Sequence, residues 1–457
     1  MIDLNASALN KTPNQRVADR ALTEKTQRNL TLAVILLATL NALLWSFVRL
    51  PGLGGPDEAE HFRIVQQMIT NGGLPIFEGY GPGRFAGGPV RAQVAHEITP
   101  NMFAVVVAQI LNMIGSASND LNFHIARLFN VALYPVTLWI AFLTLRRVFT
   151  HVPVAPIWGV VVMATIPMFT LVHSYYTNDT PAVAVGTFAV YTTIRASQSD
   201  FARRDVVLLG IALGLVALHK YTGFLIFPTV AAITIWQLAR YPTRFIRAAM
   251  VLVTITATIA GWWYVRNWML YGDPIGVEIT QAAVNASGGA PIPPRARGLN
   301  LVEFVQETNW IAETFSTFWG GYGLEKMKLP GAAYLLFGSL LVLAMGGHML
   351  SLSRNIKRIR IPDRPPILLI MGVLHLGLWA MNFWSSYTVD VALHGRYVYP
   401  TFVPFVILLI AGLSTMVPWK GPGQALVLLT VPVMLMANAA YFVHTLLPDV
   451  LAWGAVR

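Results

Sequence analysis

The residues best suited to chemistry lie in a short acidic motif, Pro56 to Phe62, which reads Pro-Asp-Glu-Ala-Glu-His-Phe. The motif follows the first long apolar run, so three carboxylates and a histidine stand where a hydrophobic segment ends. If a helix starts at Glu58, then Asp57 and His61 lie one turn apart on one face. A carboxylate beside an imidazole can bind a divalent cation or take a proton from an incoming hydroxyl group.

The same motif has a structural interpretation that competes with the catalytic one. Asp57 followed by Glu60 is a capping-box pattern, with aspartate at the N-cap and glutamate at the third helical position. The two interpretations are compatible, because a residue that caps a helix can also bind a ligand. The motif alone therefore leaves capping and function open.

A second candidate acid, Asp179, closes the segment His173-Ser-Tyr-Tyr-Thr-Asn-Asp179 and comes two residues before Pro181. Aspartate just before an early helical proline is a good N-cap, which is its structural interpretation. An acid at the outer end of a neighbouring helix would also complete a cation or acceptor site with Asp57. Asp57 and Asp179 together are therefore predicted to bind either the acceptor or a divalent cation, magnesium or manganese.

Cations stand at three further places in the chain. His219 and Lys220 lie between two apolar runs, Arg266 ends another run after two tryptophans, and Arg396 opens a later run beside Tyr397. Clustered at one membrane interface, such side chains would bind anionic head groups or a lipid phosphate. For each one taken alone, snorkelling to the membrane surface is the favoured explanation, and the clustered acids weaken it for the group as a whole.

The elements that must hold these residues are membrane helices. Of the 457 residues, 55% are hydrophobic and 12% are charged, and the mean hydropathy is +0.57. Apolar runs of about 17 to 25 residues recur along the chain, and lipid forces such runs to be helical because every backbone polar group must be satisfied internally. The sequence therefore predicts an all-α polytopic membrane protein with about 11 transmembrane helices.

The first predicted span is Leu30 to Leu50, which lacks a small-residue cleavage signature and is interpreted as a retained helix rather than a signal peptide. The apolar piece 102–114 is too short to span and is expected to lie in or dip into the interface. The other predicted spans are 123–145, 154–172, 181–194, 206–218, 223–238, 248–265, 331–350, 366–383, 398–417 and 425–443.

A cytoplasmic N-terminus puts most basic residues between the spans inside and most acidic residues outside, as the positive-inside rule requires. This arrangement predicts a cytoplasmic arm over 1–29 and a single domain over 30–457 in the plasma (inner) membrane. The outer loops 51–122 and 267–330 would form an extracytoplasmic cap that contains the active site. Arg84, in a glycine-rich stretch of the first loop, is a weaker candidate on that face.

Charge and cysteine content exclude several other classes of protein. The net charge is +11, but the Lys and Arg residues lie mainly between apolar runs, where they set topology, so no nucleic-acid partner is expected. The absence of cysteine excludes disulfides, thiolate metal sites and thiol chemistry. The outer loops must therefore be held by packing alone.

Several motifs resemble the GT-C class of membrane glycosyltransferases, which includes protein O-mannosyltransferases, the aminoarabinose transferases of lipid A and oligosaccharyltransferases. Pro-Asp-Glu-x-x-His-Phe itself is most similar to a bacterial group of that class with mostly unassigned substrates. The sequence departs from the pattern of this class in two ways. It has no Trp-Trp-Asp motif, and it has no large soluble C-terminal domain, and the second difference argues against an oligosaccharyltransferase. The matching features are Asp57-Glu58, Asp179 in Thr-Asn-Asp-Thr-Pro, Trp-Trp-Tyr-Val-Arg-Asn-Trp at 262–268, Tyr-Gly-Asp-Pro at 271–274 and Gly-Arg-Tyr at 395–397.

The resemblance implies a GT-C-like helical bundle with juxtamembrane helices in the first outer loop. It also implies transfer of a sugar from a polyprenyl-phosphate donor, among the membrane lipids, to a glycan, lipid or protein acceptor. Secondary candidates at this site are Arg84, His219 and Tyr397. The implied roles are catalysis by Asp57 and Glu58, acceptor or cation binding by His61 and Asp179, and donor phosphate binding by Lys220, Arg266 and Arg396.

A transporter or flippase of lipid-linked sugars is the main alternative. Such a protein would share the basic interface sites, but it should bury ionisable residues near the bilayer midplane and show internal repeats. The predicted spans contain almost no acids, which favours a reaction at the membrane surface. An accessory subunit with a degenerate site is disfavoured because the acidic cluster is intact.

Overall fold

A computed structural model describes most of the chain, and the described part is helical. Its α-helices and two short 3-10 helices are joined by turns, and no strand occurs among the described residues. The described residues are 24–48, 57–77, 97–115, 118–150, 152, 154–239, 241–286, 292–321, 328–355, 366–416, 436, 438–439 and 442–443.

The helices are numbered in chain order. The first eight are α1 (Glu24–Val48), α2 (Glu58–Asn71), α3 (Met102–Ile114), α4 (Asn119–Val148), α5 (Ala155–Thr165), α6 (Pro167–Val172), α7 (Asp179–Gln198) and α8 (Arg203–Ala217). The next are α9 (Ile226–Leu238), α10 (Pro242–Tyr271), α11 (Val277–Ala286), α12 (Leu301–Thr308), α13 (Trp310–Trp319), α14 (Gly331–Asn355), α15 (Ile367–Thr388) and α16 (Phe402–Met416). The 3-10 helices Tyr221–Leu225 and Gly395–Thr401 lead directly into α9 and α16.

Seven helical segments among the described residues are long and apolar enough to cross a membrane. The chain is therefore an integral multi-pass membrane protein. The predicted spans 154–172, 181–194 and 206–218 correspond to α5 to α8, which are either shorter or less apolar than these segments. The seven segments are Glu24–Val48, Asp120–Val148, Tyr221–Leu238, Pro242–Tyr271, Gly331–Arg354, Ile367–Thr388 and Gly395–Met416.

The predicted spans coincide with helices wherever the structure describes them, with two local differences. The first helix begins at Glu24, so the end of the predicted arm is already helical. The predicted span 154–172 is divided into α5 and α6, because Pro167 opens a new helix after the extended residue Ile166. The predicted span 425–443 lies almost entirely outside the described residues.

Close helix contacts in the membrane part depend on small side chains. A Cβ added at Gly210 would lie 3.0 Å from the Ile255 side chain, and one at Gly214 would lie 2.7 Å from Ile259. These two glycines are one turn apart on α8, so they open a groove in which α10 lies. Small residues at such crossings allow the backbones of membrane helices to approach closely.

The helix that begins at the acidic motif packs on the helix that follows it in the first loop. The buried face of α2 includes Phe62, Val65 and Met68, and it shares an apolar cluster with Val107 and Leu111 of α3. From Arg63 onward the polar residues of α2 are half-buried or exposed, as its amphipathic sequence requires. This packing fixes the direction in which α2 leaves the acidic motif.

Candidate active site

Two aspartates that are far apart in the sequence are joined by one arginine. Arg396 donates from Nε to Oδ2 of Asp179 at 3.0 Å and from an Nη atom to Oδ2 of Asp57 at 3.3 Å. Arg396 is only 3% exposed, whereas the Asp57 side chain is 41% exposed. The structure therefore brings together the predicted acids of the first loop and of α7 around a buried guanidinium.

Lys220 completes this ion-pair chain from the other side of Asp179. Its Nζ donates to Oδ1 of Asp179 at 2.5 Å, so each carboxylate oxygen of Asp179 accepts from a cation. Burial would raise the pKa of Asp179, but Lys220 and Arg396 outweigh it and hold that pKa well below its usual range. Asp179 is therefore ionised at physiological pH and positions both cations.

The ring of Tyr397 lies against both cations of this chain. Its centroid is 4.4 Å from Nζ of Lys220 and 5.2 Å from Cζ of Arg396, which are cation–π distances. A cation–π contact holds a cation in place without neutralising its charge. Lys220 and Arg396 therefore keep donors for a further anion, since two of the five N–H groups of Arg396 bind carboxylates.

The helix-capping interpretation of Asp57 is wrong. Asp57 directly precedes α2, but its side chain makes no capping hydrogen bond, and its backbone is left-handed with φ 58° and ψ 14°. A left-handed aspartate costs about 1–3 kcal/mol, and such residues cluster at functional sites. The carboxylate is instead turned to Arg396. His61 follows one turn later, with its backbone N–H bonded to the Asp57 carbonyl at 2.9 Å.

The capping interpretation of Asp179 is also wrong. The residue before α7 is Asn178, Asp179 is the first helical residue, and no side-chain cap forms there. The turn ahead of it is held by Asn130 of α4, whose amide donates to the carbonyls of Tyr175 and Thr177 and to Oγ1 of Thr180. Asn130 of α4 therefore holds this turn, and the Asp179 carboxylate bonds Lys220 and Arg396 instead of the helix N–H groups.

Glu58 has a different environment from its neighbour Asp57. It is fully buried, and Arg127 of α4 donates to both of its oxygens at 2.7 Å. Arg127 also donates to the Ser46 carbonyl of α1, and Glu58 accepts from the Tyr176 backbone N–H. Glu58 thus ties α2 to α1, α4 and the turn before α7, and its catalytic role stays a prediction.

Arg127 is a site-supporting residue that the sequence interpretation missed. It lies five residues into the predicted span 123–145, where a charged side chain is costly unless it is paired. Its position inside an apolar run could have identified it, because an arginine there requires a buried acid as its partner. The partner, Glu58, is 69 positions away, so the sequence alone did not identify it.

Arg396 is positioned by a close backbone contact. A Cβ at Gly395 would lie 2.4 Å from the Thr314 carbonyl of α13, so only glycine fits there. The Gly395 N–H donates to Oγ1 of Thr317, also on α13, at 2.8 Å. The Gly-Arg-Tyr motif therefore locks its glycine onto α13, which directs the following arginine to the aspartates.

The two histidines predicted for the site, His61 and His219, lie near the ion-pair chain in different environments. His61 is buried and close enough to Asp179 to help lower the pKa of that carboxyl group. His219 precedes Lys220, and its Nδ1 lies 2.6 Å from the Leu215 carbonyl, which caps the end of α8. Burial lowers the pKa of His219, so its ring is neutral at physiological pH.

Arg266 lies in a separate place. One Nη atom donates to the Pro75 carbonyl at 2.6 Å, the guanidinium lies 5.1 Å from the Trp263 ring, and the residue lines a cavity beside α2. That cavity is not lined by Lys220 or Arg396. Arg84, also predicted, lies outside the described residues.

The Tyr-Gly-Asp-Pro motif has a structural role in this chain. Asp273 accepts backbone N–H bonds from four residues at the start of α11, and Trp263 and Asn267 both donate to the Ile98 carbonyl. Burial would raise the pKa of Asp273, but the four N–H groups lower it. The bonds from Trp263 and Asn267 join the end of α10 to the first loop.

The two aspartates bond cationic side chains in this arrangement. Within the described residues, no group of three or more Asp, Glu or His side chains stands close enough to hold a metal ion. The Arg396 guanidinium bridges Asp57 and Asp179, and Lys220 takes the remaining Asp179 oxygen. Metal binding by these aspartates stays a prediction, and no chemical step is routed through it.

Solved structures share this architecture. The ArnT protein of Cupriavidus metallidurans, bound to undecaprenyl phosphate, matches with a TM-score of 0.53 at 15% identity over 88% of this chain and 62% of its own. The oligosaccharyltransferase of Archaeoglobus fulgidus in its apo form matches with a TM-score of 0.53 at 17% identity, over 90% of this chain and 56% of its own. The chain has the GT-C fold. The expected GT-C-like helical bundle is thereby confirmed.

A sequence-family comparison agrees with the GT-C fold. The model for the family dolichyl-phosphate-mannose-protein mannosyltransferase matches residues 108–287, less than half of the chain. The matched region includes Asp179 and Lys220 but neither Asp57 nor Arg396. No curated protein matches the chain by sequence. With 62% and 56% of the two solved chains covered, this chain spans well under the full length of both.

Proposed function

We propose that the chain is a membrane glycosyltransferase that moves a sugar from a polyprenyl-phosphate-linked donor to an acceptor hydroxyl group. The observation that carries the proposal is the ion-pair chain Asp57, Arg396, Asp179 and Lys220, which joins a half-exposed carboxylate to two cations. Glycosyl transfer needs both groups, because an acceptor proton must leave while negative charge grows on the departing phosphate.

Asp57 is the proposed base. The Asp57 carboxylate is the exposed end of the ion-pair chain, and Arg396 bonds one of its oxygens. The acceptor oxygen would attack the anomeric carbon and form the new glycosidic bond while its proton passes to Asp57. The bond between that carbon and the phosphate oxygen breaks, and its electron pair leaves with the polyprenyl phosphate.

Lys220 and Arg396 are the proposed phosphate ligands. Asp179 holds both, and each retains N–H groups that the described ion pairs do not use. Preorganised cations stabilise growing negative charge without reorganising during the reaction. Asp179 would therefore act as a positioning residue, and His61 would support its charge from α2. Arg266, which lies apart from these groups, is not included in the donor site.

Two of the similar structures support a lipid phosphate as the leaving group. ArnT of Cupriavidus metallidurans was solved with undecaprenyl phosphate, and AglB of Archaeoglobus fulgidus with an inhibitory peptide and a dolichol-phosphate. We infer a polyprenyl-phosphate donor for this chain from the same fold and from its own paired cations. The acceptor class is a glycan, lipid or protein.

The proposed site faces the extracytoplasmic side of the plasma (inner) membrane. Asp57 precedes α2, Asp179 opens α7, Lys220 follows α8 and Arg396 lies at the start of a spanning segment. All four positions fall on the outer side of a topology with a cytoplasmic N-terminus. Charges at helix ends, rather than at mid-span, support surface chemistry over transport.

The experiment is a transfer assay with purified protein in proteoliposomes, using a radiolabelled polyprenyl-phosphate sugar and a crude envelope acceptor fraction. Asp57→Asn should lower transfer at least a hundredfold, with binding of the lipid donor retained. Asp120→Asn, the same change at an exposed aspartate in the first turn of α4, is the matched control and should stay within twofold of the wild type. Wild-type transfer by Asp57→Asn would overturn the assignment, and movement of donor across the bilayer without transfer would support a flippase.

A further inference from the structure

A polar cavity lies along α2, beyond the ion-pair chain. Its volume is about 950 Å³, which is at the upper end of the range for small-molecule sites. The cavity has no role in the donor site proposed above, because its lining includes none of the four residues of the ion-pair chain. The α2 wall consists of Arg63, Gln66, Gln67, Thr70 and Asn71.

The spacing of these residues explains why they share one wall. Positions separated by three, four, seven and eight residues lie on the same face of a helix. The opposite stripe of α2, with Phe62, Val65 and Met68, is buried against α3. A polar helix face that lines a cavity of this size presents amide and hydroxyl groups together, as carbohydrate hydroxyl groups require.

Arg266 closes the cavity from α10. Its guanidinium is fixed by donation to the Pro75 carbonyl at 2.6 Å and to Oδ1 of Asn267 at 3.2 Å, and by the Trp263 ring. Its partners are neutral, so within the described part of the chain no carboxylate is paired with it. A guanidinium held in this way keeps its charge for a ligand.

The second charged residue of the wall is also a cation. Arg63 bonds Glu60 at 3.0 Å and Glu97 at 2.9 Å, which fixes its side chain on α2. Neither glutamate lines the cavity. Two carboxylates therefore balance the charge of Arg63, and Arg266 is the cation of the described wall that can recognise a carboxylate or phosphate group with paired hydrogen bonds.

We propose that this cavity binds the acceptor, and that the acceptor is a carbohydrate chain bearing negative groups. The inference rests on the proposed function, since it names the substrate that Asp57 would deprotonate. The same helix connects the two places: at 1.5 Å per residue, Arg63 lies about 9 Å and Asn71 about 21 Å from Asp57 along the axis. An elongated acceptor bound along α2 is thereby aligned with the base.

The experiment measures binding directly, by calorimetry on the full chain in lipid nanodiscs. The probes are tetragalacturonate, an acidic oligosaccharide, and maltotetraose, its neutral counterpart. Tetragalacturonate should bind more tightly, and Arg266→Ala should weaken it at least tenfold while leaving maltotetraose unchanged. Thr70→Val, at an exposed position that folding tolerates, should weaken both probes. Arg204→Ala, an exposed arginine at the start of α8, is the matched control and should change neither.

Tetragalacturonate affinity that is independent of Arg266 and of Thr70, or equal affinity for the neutral probe, would overturn the inference. Asp57→Asn separates this inference from the proposed reaction, because it should abolish transfer and leave tetragalacturonate binding intact. Arg266-dependent binding without any transfer by the wild type would contradict the proposed reaction alone. Transfer to neutral glycans without acidic-glycan binding would contradict the acceptor assignment alone.

Discussion

Arg396 and Asp179 are 217 positions apart, yet Nε of Arg396 donates to Oδ2 of Asp179 at 3.0 Å with both residues buried. The same guanidinium reaches Asp57, so one side chain connects the first loop, the start of α7 and the segment before α16. Removing Asp179 would leave the buried Arg396 and its neighbour Lys220 without the carboxylate they share, which is costly. The proposed base and the proposed phosphate ligands therefore depend on one another.

The first prediction concerns the geometry of this arginine. Arg396→Lys keeps a positive charge but cannot bond Asp179 and Asp57 with one planar group, so we expect transfer to fall about 100- to 1,000-fold. The transfer assay in proteoliposomes measures kcat and the donor KM separately. A phosphate ligand should also raise the donor KM, and an unchanged KM would return Arg396 to a purely structural role.

The second prediction concerns the buried pair Glu58 and Arg127. Arg127→Met leaves the Glu58 carboxylate without its bidentate partner, so we expect a loss of about 3–5 kcal/mol of stability. Thermal inactivation in detergent measures this loss. The double variant Glu58→Gln with Arg127→Met should recover part of it, because no buried charge remains unpaired. Equal stability of both variants would contradict a structural role for the pair.

The third prediction concerns pH. Burial, and then the nearby Arg396, lower the pKa of His394 to about 3, from 6.5 for an ordinary histidine. Between these values the unfolded chain binds a proton that the folded chain does not, so stability should fall by up to about 1.4 kcal/mol per pH unit below 6.5. Thermal unfolding across pH 4 to 7 tests this. His394→Gln should make the stability depend less steeply on pH. An unchanged dependence would contradict the lowered pKa of His394.

The fourth prediction concerns metal ions. The guanidinium of Arg396 stands between the two aspartates, so transfer should continue at the wild-type rate after dialysis against a chelator. Arg396→Ala removes that cation and leaves Asp57 and Asp179 facing one another. Added manganese should then restore part of its activity. Loss of wild-type transfer on chelation, with recovery on adding magnesium, would show that the two aspartates hold a metal.

The fifth prediction concerns orientation. The chain has no cysteine, so single introduced cysteines report topology without background. Glu278→Cys, exposed on α11 in the predicted outer loop, should react with an impermeant thiol reagent added to whole cells. Arg204→Cys, exposed at the start of α8, should react only after the membrane is opened. The reverse pattern would place the proposed site on the cytoplasmic side.

Local sequence patterns were sufficient for the elements of this fold. Runs of apolar residues predicted the helices, because lipid leaves the backbone no other way to satisfy its hydrogen bonds. Pro56 to Phe62 predicted a helix start at Glu58 with His61 one turn after Asp57, as observed. Both capping interpretations were wrong, because capping propensity describes an isolated helix end and long-range cations outcompeted the local N–H groups for Asp57 and Asp179.

Tertiary structure alone decided which helix ends lie next to one another. The sequence listed Lys220, Arg266 and Arg396 as equivalent cations, but packing brought two of them to Asp179 and put Arg266 beside α2. It likewise separated Asp57 from Glu58, because Asp57 precedes α2 with a left-handed backbone and bonds Arg396, whereas Glu58 lies in α2 and bonds Arg127. The sequence determined which charged residues lie at helix ends. Which of these charged residues pair was determined by the burial of Arg127 and Arg396, because each buried guanidinium needs a paired carboxylate.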